Sequence, residues 1–159
     1  MLRISIILGL WSLIAGTAYA AQAETPSPTG KSPILKVLPH FLDQQGRAAL
    51  SPSLFERDAY QAELRRNPER CSALRYDILL SPRPSASGSG PLKLKMELRL
   101  GNGSTQILER DWQPKRFRRT WTSLTLEGDA FAQAREVSAW RASLWDGNRL
   151  LAEQTSFLW

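Results

Sequence analysis

The sequence predicts a mainly β protein, in which seven or eight strands form an antiparallel two-sheet sandwich with one helix near the N-terminus, at about residues 54–66. Three observations support this prediction. From Ser72 onward, apolar and polar residues alternate with a period of two, as they do on half-buried strands. Turn residues recur about every ten positions, which is the rhythm of a two-sheet sandwich. A helical spacing of apolar residues follows Ser53, just behind a typical helix-start residue.

Residues 1–20 have the pattern of a secretory signal peptide. Arg3 provides a short positive start, residues 4–16 are apolar and uncharged, and the small residues Ala18 and Ala20 suit cleavage after residue 20. Cleavage after Ala23 is the alternative. The apolar run is shorter than the roughly 20 residues that span a bilayer. We therefore expect an exported protein, secreted or periplasmic, without a transmembrane anchor.

Residues 24–33 are rich in Pro, Ser, Thr and Gly, which predicts a flexible leader before the folded body. Residues 34–159 then form a single β-sandwich domain with the helix inserted. The first strand is expected at residues 34–42, and Pro39 indicates that it lies at a sheet edge because proline cannot donate to a neighbouring strand. A short return strand is expected at residues 47–50.

The helix prediction depends on its start and stop signals. Ser53 is a suitable N-cap, and Glu56 stands three residues later, where it would complete a capping box. Pro68 ends the helix, because a helical conformation is disfavoured just before proline. The apolar residues at helical spacing provide one docking face: Phe55, Ala59 and Ala62, together with Tyr60 and Leu64.

Residues 92–100 have the clearest alternation in the chain, with five aliphatic residues on one strand face and four charged residues on the other. Such a strand belongs to an antiparallel sheet with one solvated face. Asp146-Gly147 is the strongest hairpin signal. Further strands are expected at residues 72–80, 105–112, 121–126, 137–145 and 150–158, and a helical turn is expected around Phe131 and Ala134.

This layout resembles immunoglobulin-like and fibronectin type III-like domains. The resemblance covers about residues 72–159 and rests on the strand rhythm and on the last hairpin, which contains Trp140 and Trp145. It implies a fold and carries no function. The paired cysteines of antibody domains are absent, because Cys71 is the single cysteine. An incidental small side chain, an intermolecular bridge and a reactive thiol are all open for Cys71.

The formal net charge of +6 fits either an ordinary soluble protein or one that is attracted to an anionic partner. The charge concentrates in one segment, where cations lie between aromatic residues and would hold an anion while a ring stacks on a sugar. The alternative is a solvated hairpin tip that blocks edge pairing. The candidate ligand-binding residues are Trp112, Lys115, Arg116, Arg118, Arg119 and Trp121, with Lys93, Lys95 and Arg99 as a possible extension.

The sequence provides little support for catalysis. His40 is the single histidine, and no nucleophile-elbow motif occurs. The nearest carboxylate pairs are Glu109 with Asp111 and Glu127 with Asp129, which surface strands often carry. We expect no catalytic residue, no metal site and no cofactor. Trp140 and Trp145 are an odd number of positions apart, so their side chains should point to opposite faces of their strand.

We therefore expect an exported, non-catalytic binding or assembly domain whose partner is another protein or an envelope polymer, and not a nucleic acid. An anion- or glycan-binding protein of the cell envelope, using residues 112–121, is the alternative. An exposed apolar or aromatic surface after folding would favour the first. An enzyme would instead need His40 or a carboxylate pair beside a second polar group.

Overall fold

A computed structural model describes residues 32–82, 88, 90–115, 117–134 and 136–159, so the predicted signal peptide and most of the leader lie outside the described residues. Seven strands form a three-stranded sheet of order β1-β2-β5 and a four-stranded sheet of order β4-β3-β6-β7. All pairs are antiparallel. The elements are β1 (Ile34–Asp43), α1 (Leu54–Arg66), a 3₁₀ turn (Pro68–Arg70), β2 (Cys71–Leu80), β3 (Leu92–Leu100), β4 (Thr105–Trp112), β5 (Thr120–Glu127), α2 (Gly128–Ala134), β6 (Val137–Asp146) and β7 (Arg149–Thr155).

The predicted fold class is confirmed: the molecule is a mainly β, two-sheet antiparallel sandwich. Its architecture is compatible with an immunoglobulin-like fold in general. No helix in the described part of the chain is long and apolar enough to cross a membrane.

The core lies between the two sheets and follows the alternation in the sequence. All five aliphatic side chains of β3 are buried, and the inward-facing residues of β2 oppose them. Removing these side chains from water is the main driving force that holds the two sheets together. The central inward residues are Leu74, Tyr76, Ile78 and Leu80 on β2, and Leu92, Leu94, Met96, Leu98 and Leu100 on β3.

β1 is an edge strand, as Pro39 predicted, and pairs with β2 alone. A side chain of α1 binds the backbone of this strand. The Gln61 amide accepts a hydrogen bond from the Phe41 N–H at 2.8 Å and donates to the Phe41 carbonyl at 2.9 Å. It also donates to the Ala48 carbonyl at 2.7 Å. Gln61 therefore fixes the helix against the strand and satisfies backbone groups that another chain would otherwise pair with.

The bounds predicted for the helix are confirmed, but two details were wrong. The Ser53 side chain makes no capping hydrogen bond, so the capping box does not form. The buried face consists of Tyr60, Gln61 and Leu64, whereas Phe55 is 83% exposed. The physical reason is that polar contacts to β1 orient the helix. Besides the Gln61 bonds, the Tyr60 hydroxyl donates to the Asp43 carboxylate at 2.7 Å.

Three other expectations are corrected. Residues 47–50 form no strand, because Asp43 holds a tight turn: its carboxylate accepts the Arg47 N–H and its own N–H donates to the Arg47 carbonyl. The last strand ends at Thr155 and not at residue 158, because the Ser156 hydroxyl, instead of a backbone carbonyl, accepts the Trp140 N–H. The predicted helical turn forms a second helix, α2, so the described chain contains two α-helices.

The two ends of the sandwich differ, and the difference positions the candidate site. At the packed end, inward side chains are fully or almost fully buried: Ile34, Ile78, Leu80, Leu92, Leu94 and Leu144. At the open end, where both helices lie, several side chains are only partly buried and pack against the core from outside it: Phe41, Phe131, Val137 and Trp140. Phe41 and Phe131 also contact a small second cluster of Tyr60, Leu64 and Cys71.

Candidate functional site

A cavity of about 660 Å³ lies at the open end of the sandwich, between the two sheets and beneath the helices. β1 and β2 provide one wall, β6 provides the other, and α2 and the end of α1 close the side. The volume lies in the range of cavities that hold small organic ligands. Its lining is mainly apolar and rich in rings, with Phe41, Tyr76, Phe131 and Trp140 as the aromatic members.

Local sequence explains how these rings reach the cavity. Phe41 pairs with Leu74 across the β1–β2 ladder, and these inward positions recur every second residue. Phe131 and Ala134 are three residues apart on the short helix α2, so both lie on the face that covers the sheets. Trp140 points inward from β6, and its ring meets Tyr76 edge-on with ring centroids 6.4 Å apart.

Tyr76 is the polar group deepest in this lining. Its side chain is 1% exposed, and burial alone raises the pKa of its phenol far above the ordinary value. The phenol is therefore neutral at physiological pH. Its hydroxyl makes no hydrogen bond with any residue that the structure describes. Among the described residues, the completely buried side-chain polar atoms without a hydrogen-bond partner are Arg75 Nε, Trp112 Nε1 and Gln154 Oε1, and the Tyr76 hydroxyl is not one of them.

The mouth of the cavity is formed by the segment after β7. Trp140 N–H donates to the Ser156 hydroxyl at 3.0 Å, and Ser156 N–H donates to the Trp140 carbonyl at 2.9 Å. These two bonds hold the segment against β6. The next two residues, Phe157 and Leu158, line the cavity while remaining largely exposed. An apolar surface of this kind at a cavity mouth is a common feature of binding sites.

The charged residues of the lining stand at the outside. Arg65 at the end of α1 and Glu136 before β6 are both exposed and have opposite charge. The serine hydroxyls of the lining are already engaged with backbone. Ser138 donates to the Arg99 carbonyl at 3.1 Å, and Ser156 accepts from Trp140. Among the described lining residues, Tyr76 is the polar side chain that is most deeply buried.

The predicted basic and aromatic segment is not assembled into one surface. Trp112 is 5% exposed and belongs to the core, whereas Trp121 is 51% exposed on the outer face of the three-stranded sheet. The chain crosses from one sheet to the other between them, so the two rings lie on opposite sides of a sheet. Lys115, Arg118 and Arg119 are exposed along this crossing, and Arg116 lies outside the described residues.

The three cations of β3 that could extend the basic segment interact with other side chains instead. Lys93 lies 3.4 Å from Glu109, and Lys95 lies 2.8 Å from Glu97. Arg141 also binds Glu97, and hydrogen bonds from Lys95 and Arg141 lower the pKa of this carboxyl against the effect of its burial. Arg99 stacks over the Trp159 ring at 4.1 Å. The outer face of the four-stranded sheet is thus a network of paired charges.

Trp121 lies beside a polar cluster on the outer face of the three-stranded sheet. The Asp77 carboxylate there accepts from Ser123 at 2.6 Å, lies 2.9 Å from the Arg75 Nε, and lies 3.7 Å from the His40 Nε2. Burial lowers the pKa of His40, and Arg75 and Arg57 lower it further although Asp77 raises it. These residues line a shallow groove that also contains Trp121.

This cluster has the residue types of a Ser-His-Asp site in a different order. In such a site the histidine stands between the serine and the acid. Here the acid stands in the middle, and the serine proton points to Asp77 instead of to His40. Among the described residues, no group of three His, Cys, Asp or Glu side chains is arranged to hold a metal ion. Glu109, Asp111, Glu127 and Asp129 are all exposed.

Sequence reasoning missed the cavity, although one signal was available. The alternation of residues 72–80 places Tyr76 on the inward face of β2, where it is the polar-tipped side chain among aliphatic neighbours. The alternation does not reveal where the two sheets separate, which depends on how α2 crosses between them. Trp140 and Trp145 do point to opposite faces of β6, as their odd spacing predicted.

Comparison with known proteins gives no match to this chain. No protein-family model matches it, and neither a curated protein nor a solved structure reaches significant similarity.

Proposed function

We propose that this protein is an exported, non-catalytic binding domain whose recognition site is the cavity at the open end of the sandwich. The single observation that carries the proposal is an apolar, ring-lined cavity of about 660 Å³ with one buried, unused hydroxyl. Cavities with mainly apolar walls and a few polar groups are the usual form of small-molecule sites. The exposed Phe157 and Leu158 at the mouth support binding to an apolar group.

A dye-binding experiment tests the cavity. The uncharged dye N-phenyl-1-naphthylamine should bind the full chain saturably, with a rise in fluorescence. Ser138 lines the cavity and is exposed, so Ser138→Trp should block the mouth and abolish the rise without disturbing the core. Thr105→Trp, at an exposed position of β4 away from the cavity, is the matched control. A fluorescence rise that survives in Ser138→Trp contradicts the proposal.

Export is a separate part of the proposal and rests on the signal-peptide pattern of residues 1–20. The secreted or periplasmic protein should begin at Ala21, or at Glu24 if cleavage follows Ala23. N-terminal sequencing of the protein recovered from the cell envelope or the medium tests this. Recovery of a chain that begins at Met1 contradicts export through this signal.

We also infer that the sandwich is of the fibronectin type III-like kind. In constant-type immunoglobulin domains the fourth strand belongs to the sheet of the first, second and fifth strands. Here β4 pairs with β3 in the opposite sheet, which supports the fibronectin-like alternative. An experimental structure of the protein, compared strand by strand with both fold types, tests this inference.

The sequence predicts another protein or an envelope polymer as partner, which is a different ligand class from the small molecule of the cavity. The second candidate function belongs to that class: the binding of an anionic glycan at residues 112–121. The exposed ring of Trp121, beside the exposed Arg118 and Arg119, favours it. Retention on a polyanion such as heparin should then fall with rising salt and weaken in a triple variant of Arg118, Arg119 and Trp121 to Ala. Trp112 is excluded from this version because it is buried. Retention that the triple variant leaves unchanged contradicts it.

A further inference from the structure

We propose that the ligand of the cavity is a small, flat, uncharged ring compound that carries one hydrogen-bond acceptor, and that Tyr76 donates to this acceptor. The inference rests on the proposed binding function and names its ligand class. Three features of the cavity lead to it: the shape of its walls, the distribution of charge around it and the state of the Tyr76 hydroxyl.

The walls favour a flat ring. Packed sheets lie about 10 Å apart, so a ligand between them has limited thickness. Aromatic side chains face the cavity from β1, β2, β6 and α2, and the Tyr76 and Trp140 rings meet at 64°. Rings gain about 0.5–1.5 kcal/mol from offset-stacked or edge-on contacts with other rings, beyond the area that they bury. An aromatic ligand would continue the arrangement that these side chains already have.

The charges favour an uncharged ligand. Among the residues that the structure describes, Arg65 and Glu136 are the charged members of the lining; they stand at its outer part and have opposite signs. The described deep part of the lining provides no charged side chain to compensate an ion. Moving an uncompensated ion into an apolar site is strongly unfavourable. A neutral ligand avoids this cost and leaves Arg65 and Glu136 in water.

The Tyr76 hydroxyl favours a ligand with an acceptor atom. The phenol remains protonated at physiological pH, because burial raises its pKa. It is therefore a permanent donor in an apolar environment, without a hydrogen-bond partner among the described residues. A ligand nitrogen or oxygen at hydrogen-bond distance would satisfy it. Ser138 donates its proton to the Arg99 carbonyl and so does not compete for this role, whereas Ser156 accepts from Trp140 and stands at the mouth of the cavity.

Naphthalene and quinoline provide a direct test, because they have the same shape and differ by one acceptor nitrogen. At pH 8 quinoline is uncharged. Displacement of N-phenyl-1-naphthylamine gives the affinity of each compound for the wild-type chain and for Tyr76→Phe. The ratio of quinoline affinity to naphthalene affinity should fall by about two- to tenfold in Tyr76→Phe, which is the usual range for one neutral hydrogen bond. Naphthalene affinity itself should change little.

Tyr60→Phe is the matched control, because it also removes a phenol but one that bonds to Asp43 outside the cavity lining. It should keep the wild-type ratio. If both compounds bind but the ratio is the same in wild type and Tyr76→Phe, the inference about Tyr76 is wrong while the cavity function stands. If the dye binds but neither compound displaces it, the inferred ligand class is wrong while the cavity function stands. If the dye does not bind, the proposed function fails as well. Far-UV circular dichroism confirms that each variant is folded.

Discussion

The packed end and the open end of this sandwich are built by the same strands, yet only one of them closes. At the packed end, Ile78, Leu80 and Leu94 are completely buried between the sheets. At the open end, Tyr76 remains buried, but Phe41, Phe131 and Trp140 surround a cavity instead of filling it. Hydrophobicity does not explain the difference, because both ends are apolar. The open end is where the chain crosses between the sheets through α2.

The comparison shows how a small sandwich can combine stability with a binding site. Aliphatic side chains that alternate on facing strands interdigitate at the density of an organic crystal and leave no room for a ligand. Large rings held by short helices at the end of the sheets cannot interdigitate in the same way. The packed end then provides the stability of the fold, while the open end has space for another molecule.

The largest expected effect tests whether the packed end is truly closed. Leu94→Ala should lower the free energy of unfolding by about 2–5 kcal/mol, because it removes a completely buried side chain and leaves a cavity. Urea denaturation followed by circular dichroism measures the change. Phe157→Ala, at a fully exposed position of the open end, should change it by less than about 0.5 kcal/mol. Equal losses in the two variants would remove the distinction between the ends.

The same substitution at two valines, one at each end, compares the free space between the sheets. Val37 is buried opposite Ile78 at the packed end, and Val137 lines the cavity. Val37→Ile should cost about 1–3 kcal/mol by overpacking. Val137→Ile should be neutral or stabilise by up to about 0.8 kcal/mol, because the added methylene enters the cavity. Thermal denaturation of both variants measures the contrast, and a comparable loss for Val137→Ile would show that the space is not available.

The third prediction concerns the acid sensitivity of the helical attachment at the open end. Burial opposes ionisation of Asp43, but hydrogen bonds from the Arg47 and Gln45 backbones, from Tyr60 and from the Arg47 side chain lower its pKa to about 2. The unfolded value is 3.8, so the stabilisation from this carboxylate is fully present above pH 4 and is lost as the pH falls from about 4 to about 2.

Urea midpoints measured between pH 6 and pH 2 test this prediction. The midpoint of the wild type should fall below pH 4, and Asp43→Asn should have a lower midpoint at pH 6 and a shallower decline. Tyr60→Phe, which removes one of the hydrogen bonds, should lie between the two. An identical decline in wild type and Asp43→Asn would contradict the assignment.

The smallest expected effect concerns Cys71, which lies under α1 at the open end. Its side chain is almost fully buried, its thiol donates to the Leu64 carbonyl at 3.4 Å, and burial raises its pKa. Reaction with iodoacetamide at pH 8 should therefore be at least about tenfold slower in the folded protein than in urea. Asp43→Asn should speed the folded reaction by loosening α1, whereas Arg118→Ala, on the basic crossing, should not. Fast labelling of the folded wild type would contradict this burial.

Periodicity in the sequence predicts well where the strands lie, but it predicts poorly how the neighbouring elements pack against them. The bounds of β3 follow from alternation, because the side-chain direction of a strand is a local property. The bounds of α1 follow from local signals in the same way. Its buried face does not, since Tyr60 and Gln61 are oriented by Asp43 and Phe41 about 20 residues away.

The candidate site residues show the same contrast between what is local in the sequence and what depends on the whole fold. Trp112 and Trp121 looked like one aromatic surface because they are close in sequence, but they end on different sheets, and one of them faces the core. Phe41, Tyr76 and Trp140 come from three different strands and surround the cavity. Inward direction is a property of each strand, whereas proximity across the sandwich depends on how all seven strands are arranged.

By itself, the sequence determined the strands, the helix after Ser53 and which side chains face inward, because these follow from the period of the apolar residues and from local start and stop signals. The tertiary structure decided which ends of the sheets close and which stay apart. It alone placed Tyr76 at a cavity, because the separation of two sheets depends on contacts between residues far apart in the chain.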